Sequence, residues 1–207
     1  MKVILFFLLT FSLYATNYPS FSQAELKNIE KQIGLNVKKR IENYTCTIDS
    51  YKTLSKEKQL IQVNKYINTL LPKDKSYYVD KKNYWTTPKE FLTSGLVDCE
   101  DYAIIKYYTL LKLGFKEENL FLTTSYDTIT KQSHMVLSYI QDNNHQPLIL
   151  DNLSNYVLKL NKRKDIRVNM FINSSGVYKL DPEHELIKVA KGVKQFKELR
   201  SRIAKEG

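Results

Sequence analysis

The order of hydrophobic periodicities along the chain predicts an α+β fold. Through residue 113 apolar side chains recur at three- and four-residue steps, the spacing of amphipathic helices. Beyond it the repeat shortens to two, the spacing of strands with one buried face. Helices first, followed by an antiparallel sheet, is the α+β arrangement.

Each element has its own signal. Residues 22–43 place Leu26, Ile29, Ile33, Val37 and Ile41 on one face, with Ser22 as N-cap and Glu25 three residues on, and Gly34 weakens this helix in its middle. A second helix follows Ser55, carries Leu60, Val63, Tyr66, Ile67 and Leu70, and stops at Pro72. Residues 72–87 are polar and aromatic and read as a long ordered loop, a type of segment that is often functional. Pro88 opens a helical turn that Gly95 ends. Asp98 then caps a helix from Cys99 to Leu113, with Gly114 at its C-terminus. Strands are predicted at Leu120–Ser125, His134–Ile140 and Pro147–Leu153, with shorter ones at Tyr156–Leu160, Met170–Ile172 and Val177–Leu180. Residues 183–206 read as a basic amphipathic helix with Leu186, Val189, Val193, Phe196, Leu199 and Ile203 as its stripe.

The chain starts with a basic residue, Lys2, and an apolar run ending at Ala15, the pattern of a secretory signal peptide and too short for an ordinary membrane span. Residues 1–15 are therefore expected to be a leader and residues 16–207 a single exported domain. The formal charge is +10, but Lys and Arg are scattered among acids, which fits a solvated surface better than a nucleic-acid footprint. Acidic partners or an anionic membrane surface remain compatible with it. Two cysteines are present, Cys46 and Cys99. In an oxidising compartment they can form a structural disulfide. Alternatively Cys99 is a thiol in an activating position and Cys46 is a small buried hydrophobe.

Cys99 carries the functional signal. It lies at the start of a helix among Asp98, Glu100 and Asp101. The helix N-terminus lowers a thiol pKa and neighbouring carboxylates raise it, so a nucleophile here needs a compensating cation. His134 and Asp151 flank the turn run Gln141-Asp142-Asn143-Asn144-His145-Gln146. A hairpin centred between Asp142 and Asn143 sets the two residues directly opposite one another on one face. A helix-start Cys facing a His oriented by an Asp is what thiol nucleophilic catalysis requires, with backbone N–H groups at the helix start available to an oxyanion. Taken singly, each residue also has a structural explanation. Asp98 caps, Cys99 packs, His134 sits satisfied in a core and Asp151 bonds backbone in a turn. His145, in the turn, and His184, near a helix start, are weaker candidates.

The segments Tyr84-Trp85-Thr86-Thr87-Pro88-Lys89-Glu90-Phe91-Leu92, Asp98-Cys99-Glu100-Asp101-Tyr102-Ala103, His134-Met135-Val136-Leu137 and Leu150-Asp151-Asn152-Leu153 resemble the bacterial transglutaminase-like cysteine proteinases. The resemblance spans about residues 24–176 and includes Val63-Asn64-Lys65-Tyr66-Ile67-Asn68 and Arg163-Lys164-Asp165. It implies a papain- and transglutaminase-like fold and export to the periplasm. The implied activity is calcium-dependent proteolysis of a large surface adhesin, which disperses biofilm. It makes Cys99 the nucleophile, His134 the base and Asp151 the orienting acid. It also implies Ca²⁺ at Asp98, Glu100 and Asp101, completed by further oxygen ligands. Three neighbouring helix residues do not all point at one ion, and sterically Asp98 and Asp101 are favoured over Glu100. An inner-membrane cyclic-di-GMP receptor is the implied regulatory partner. Val97 stands where the family usually has glycine, and the segment Phe171-Ile172-Asn173-Ser174-Ser175-Gly176 departs in spacing. Two rivals share the fold: a transglutaminase-type acyl transferase, and a non-catalytic binding module.

Overall fold

Ser22 begins the first helix as the sequence predicts. Its hydroxyl accepts the Glu25 N–H, the Glu25 carboxylate accepts the Ser22 N–H, and α1 runs Gln23–Gln32. The computed structural model describes residues 17–70, 84–95, 98–141, 146–183 and 185–206. The expected leader, most of the aromatic loop, Val97, His145 and His184 lie outside these.

The predicted helix over 22–43 is two helices. Gly34 takes φ 131°, which no residue of a right-handed helix can hold, so the chain breaks there and α2 restarts at Leu35–Tyr51. α2 buries Ile41, Tyr44 and Ile48, and α3, Lys56–Leu70, buries Leu60, Val63 and Ile67. Cys46 is exposed on α2, and both cysteines are free thiols, so neither the disulfide nor the buried-hydrophobe reading of Cys46 holds. The apolar stripe of α2 explains this, since it passes through Ile41, Tyr44 and Ile48 and leaves position 46 on the outer face.

α4, Pro88–Ser94, has a capping box of Thr87 and Glu90 and ends at Gly95 in the left-handed region. α5, Cys99–Lys112, is the central helix, buried from Asp101 to Leu111 and packed against α3, α4 and the sheet. Such a helix is hydrophobic nearly all round, and its one lysine within that run, Lys106, donates to Asn64 Oδ1 at 2.8 Å inside the protein.

Among the described residues seven antiparallel strands follow: β1 Leu120–Asp127, β2 Gln132–Tyr139, β3 Leu148–Asp151, β4 Ser154–Lys159, β5 Ile166–Asn173, β6 Gly176–Leu180 and β7 Leu186–Ala190. Their spatial order is β4-β3-β2-β1-β5-β6-β7. Alternation works as expected. Leu120, Leu122, Met135, Leu137 and Leu150 face the helical core, and Phe121, Val136 and Ile149 fill smaller clusters on the other face.

The predicted helix over 183–206 is a strand and a helix. Leu186–Ala190 pairs with β6, Gly192 turns the chain at φ 154°, and α6 occupies Lys194–Glu206. Leu186, Val189 and Val193 are spaced as on a helix, but the unpaired edge of β6 offers hydrogen bonds that override this local pattern. α6 returns Phe196, Leu199 and Ile203 to the main core. No helix among the described residues is long and apolar enough to cross a membrane.

Candidate active site

The site is built on the start of α5. Asp98, extended, caps the helix and accepts the Cys99 N–H at 2.7 Å. Asp101 closes the box from inside, its Oδ2 accepting the Asp98 N–H at 3.0 Å and its Oδ1 the Thr86 N–H at 2.9 Å. Burial pushes the Asp101 carboxyl up to about 6 against the pull of those N–H groups. The aromatic segment before α4 and the start of α5 are thus stitched together, which leaves Cys99 and Glu100 on the open side of the first turn.

The sheet supplies the partner groups. Asp151 Oδ1 lies 2.8 Å from His134 Nε2, and both side chains are buried. The two are not directly opposite. Leu137 pairs with Leu150 and Tyr139 with Leu148, a register displaced by two residues from the predicted one. Displacement by two preserves the side-chain face, so the pair meets diagonally and the contact survives. Asp151 Oδ1 also accepts the Leu153 N–H at 2.9 Å, and its backbone carbonyl accepts Asn68 Nδ2 at 2.8 Å from α3. Burial opposes ionisation of Asp151, but His134, the Leu153 N–H and Arg163 together outweigh it and hold the carboxyl well below its usual range.

Arg163 joins the site although local sequence pattern gives it no role. Its Nη2 donates to Asp151 Oδ2 at 2.6 Å, and its Nε lies 2.8 Å from Asp165 Oδ1. The only signal for it in the chain is the Arg163-Lys164-Asp165 run within the family resemblance, because neither periodicity nor turn chemistry marks a residue so placed.

Cys99, Glu100, Asp98 and His134 line one cleft of about 840 Å³, together with Ser125, Arg167 and Met170. The Cys99 thiol donates to Glu100 Oε2 at 3.0 Å, and its sulfur accepts the Met135 backbone N–H. Burial first, then the charge and hydrogen bond of Glu100, then Asp98, push the thiol well above its usual range, with the Met135 N–H opposing them. Ligand atoms of Asp98, Cys99 and Glu100 lie within 4.8 Å of one another. The structure therefore gathers Asp98 and Glu100, and turns Asp101 toward backbone donors. Two carboxylates without a described cationic partner are hard oxygen donors suited to a hard divalent ion. They are also the counter-charge problem that the thiol faces.

A cysteine at the start of a central helix, on one cleft with a histidine that a buried carboxylate holds on an antiparallel sheet, defines the papain- and transglutaminase-like class of α+β thiol enzymes. The family model described as bacterial transglutaminase-like cysteine proteinase BTLCP matches residues 36–170, and the chain belongs to that family. Among solved structures it is similar to calcium-bound LapG of Legionella pneumophila, at 28% identity and TM-score 0.70, covering 88% of this chain and 99% of that one. EGTA-treated LapG of the same organism gives 30% identity and TM-score 0.73, covering 89% and 99%. A third LapG structure gives 30%, 0.71, 89% and 97%. No curated protein sequence matches.

Proposed function

We propose that this cysteine proteinase is an exported, calcium-dependent endopeptidase that cleaves a large cell-surface adhesin in an extended segment, thereby promoting biofilm dispersal. Residues 1–15 serve as the leader and residues 16–207 as one catalytic domain in the periplasm. The observation that carries this reading is the hydrogen bond between buried Asp151 and His134, which lines the same cleft as Cys99 at the α5 start.

In this mechanism Asp151 holds His134 through Nε2 and leaves Nδ1 for the thiol. His134 takes the Cys99 proton, the sulfur bonds to the scissile carbonyl carbon, and the imidazolium gives its proton to the leaving amine. Water deprotonated by His134 then releases the acyl chain and restores the thiol. Asp98 and Glu100 are the proposed calcium ligands, with backbone or water oxygens completing the shell and Asp101 bracing the loop behind them. A bound calcium ion supplies the positive charge that offsets the two carboxylates beside the thiol. A second proposed partner is an inner-membrane cyclic-di-GMP receptor that holds the enzyme inactive, and the basic surface supports such docking.

The test is incubation of the purified protein with the N-terminal region of a large adhesin from its own genome, in Ca²⁺ and a labelled primary amine. New N-termini without amine incorporation are expected. Amine-labelled glutamine without cleavage would replace hydrolysis by acyl transfer, and tight binding with neither product would replace it by a scaffold role.

A further inference from the structure

We propose that Arg163, oriented by Asp165, is a positioning residue for the His134–Asp151 pair. This rests on the assignment of His134 and Asp151 to catalysis.

A carboxylate that orients an imidazole must not rotate. Asp151 Oδ1 is shared by His134 Nε2 and the Leu153 N–H, which fixes one oxygen. Arg163 Nη2 takes the other at 2.6 Å, so the carboxylate plane is defined by contacts at both oxygens. Arg163 is itself held from its far side, with Nε 2.8 and 3.1 Å from Asp165 Oδ1 and Oδ2 and Nη2 2.5 Å from Oδ2. The relay runs from the cleft through β2 and β3 to the turn before β5, and ends at a carboxylate whose side chain is 33% exposed.

A purely structural ion pair is a poor explanation. Desolvating a guanidinium between carboxylates is often no net gain over apolar packing. Among the described residues Arg163 Nη1 is moreover buried with no hydrogen-bond partner, an uncompensated donor of the sort that is tolerated where a site needs the group. Charge also favours the role. The charged or titratable groups set against Asp151 are His134 and Arg163, with Asp165 behind the latter. From α3 Asn68 contributes only an uncharged amide, to the Asp151 carbonyl. Arg163 is thus the fixed cation that keeps Asp151 anionic whatever proton His134 carries.

The experiment compares Arg163→Gln, Arg163→Lys and Asp165→Asn with wild type in Ca²⁺. It reads kcat and KM on an adhesin fragment. Arg163→Gln is expected to lower kcat about ten- to hundred-fold with KM nearly unchanged. Arg163→Lys should recover part of kcat, and Asp165→Asn should show a smaller loss of kcat, again with KM nearly unchanged. A wild-type kcat in folded Arg163→Gln, or a loss in Arg163→Lys as large as that in Arg163→Gln, would overturn the proposal. If that variant does not fold, Asp165→Asn decides, with a reduced kcat supporting the role and a wild-type kcat overturning it. Retained cleavage by Cys99→Ala or Asp151→Asn would instead overturn the catalytic assignment on which the proposal rests.

Discussion

Two helices only a few residues apart begin with the same device and do different things. α4 opens on Thr87 with Glu90 reaching back, and α5 on Asp98 with Asp101 reaching back. At α4 the first helical residue is Pro88, which has no N–H to satisfy, and Glu90 also accepts the Tyr84 hydroxyl at 2.6 Å. Thr87 donates to Glu206 Oε1 at 2.9 Å, so this box ties α4 to the end of α6. At α5 the first helical residue is Cys99, the box is braced from within by buried Asp101, and the open side faces His134 across a cleft. A capping box only fixes where a helix starts. What sets α5 apart is the thiol at its first position and the cleft it shares with His134.

Removal of calcium should act on the start of α5 and spare that of α4. EGTA should abolish cleavage and lower the melting temperature, and Ca²⁺ should restore both, with Mg²⁺ a poor substitute because it demands strict octahedral geometry. Saturating Ca²⁺ should stabilise the fold by about 3–4 kcal/mol at 100–1,000 times its Kd. Asp98→Ala or Glu100→Ala should mimic chelation in both assays, whereas Glu90→Ala at α4 should leave the Ca²⁺ response intact. Activity and melting curves that ignore calcium would reduce Asp98 and Glu100 to capping and surface acids.

A smaller effect separates the two caps. Asp101→Ala strands the buried N–H of Thr86, a cost of about 1–3 kcal/mol, and leaves the half-buried Asp98 N–H without its acceptor, so it should release Cys99 from its position and lower activity. Thr87→Ala removes an ordinary cap at about 1 kcal/mol and should leave kcat unchanged. Urea denaturation beside kinetics distinguishes them, and equal losses of kcat would mean that both boxes serve the site alike.

The smallest effect is on stability against pH. The folded pKa of Asp151 lies below its ordinary value of 3.8. Its contribution is therefore present at neutral pH and is lost as pH falls through 3.8 toward the folded value. The stability gap between wild type and Asp151→Asn should be constant above about pH 5 and narrow below pH 4. A gap that widens with acid would contradict the ion-pair environment described here.

The parts of this site that rest on local chemistry were legible in the chain. Ser22 with Glu25 and Asp98 ahead of an apolar run mark helix starts because capping is a contact between near neighbours. His134 and Asp151 share a face because strand parity depends only on even or odd spacing, so a two-residue displacement of the hairpin left the prediction standing. What failed was tertiary. Leu186–Ala190 became an edge strand because β6 was there to pair with it, and Gly34 broke a helix that periodicity alone would have continued. Cys46 fell on the outer face of a helix whose true length ran past the predicted end. Arg163 escaped notice because its meaning lies in a buried contact with Asp151 across a turn, and side-chain convergence of that kind has no period.

The thiol at the start of α5, and not the one on α2, is the proposed nucleophile toward the peptide bond. The direct measurement is mass spectrometry of an adhesin fragment after incubation in Ca²⁺ with Cys99→Ala or Cys46→Ala protein, each shown to be folded. Cys46→Ala is expected to produce the new N-terminus at the wild-type rate, and Cys99→Ala to fall by about a thousand-fold or more. Cleavage by Cys99→Ala at the wild-type rate would exclude Cys99 as the nucleophile.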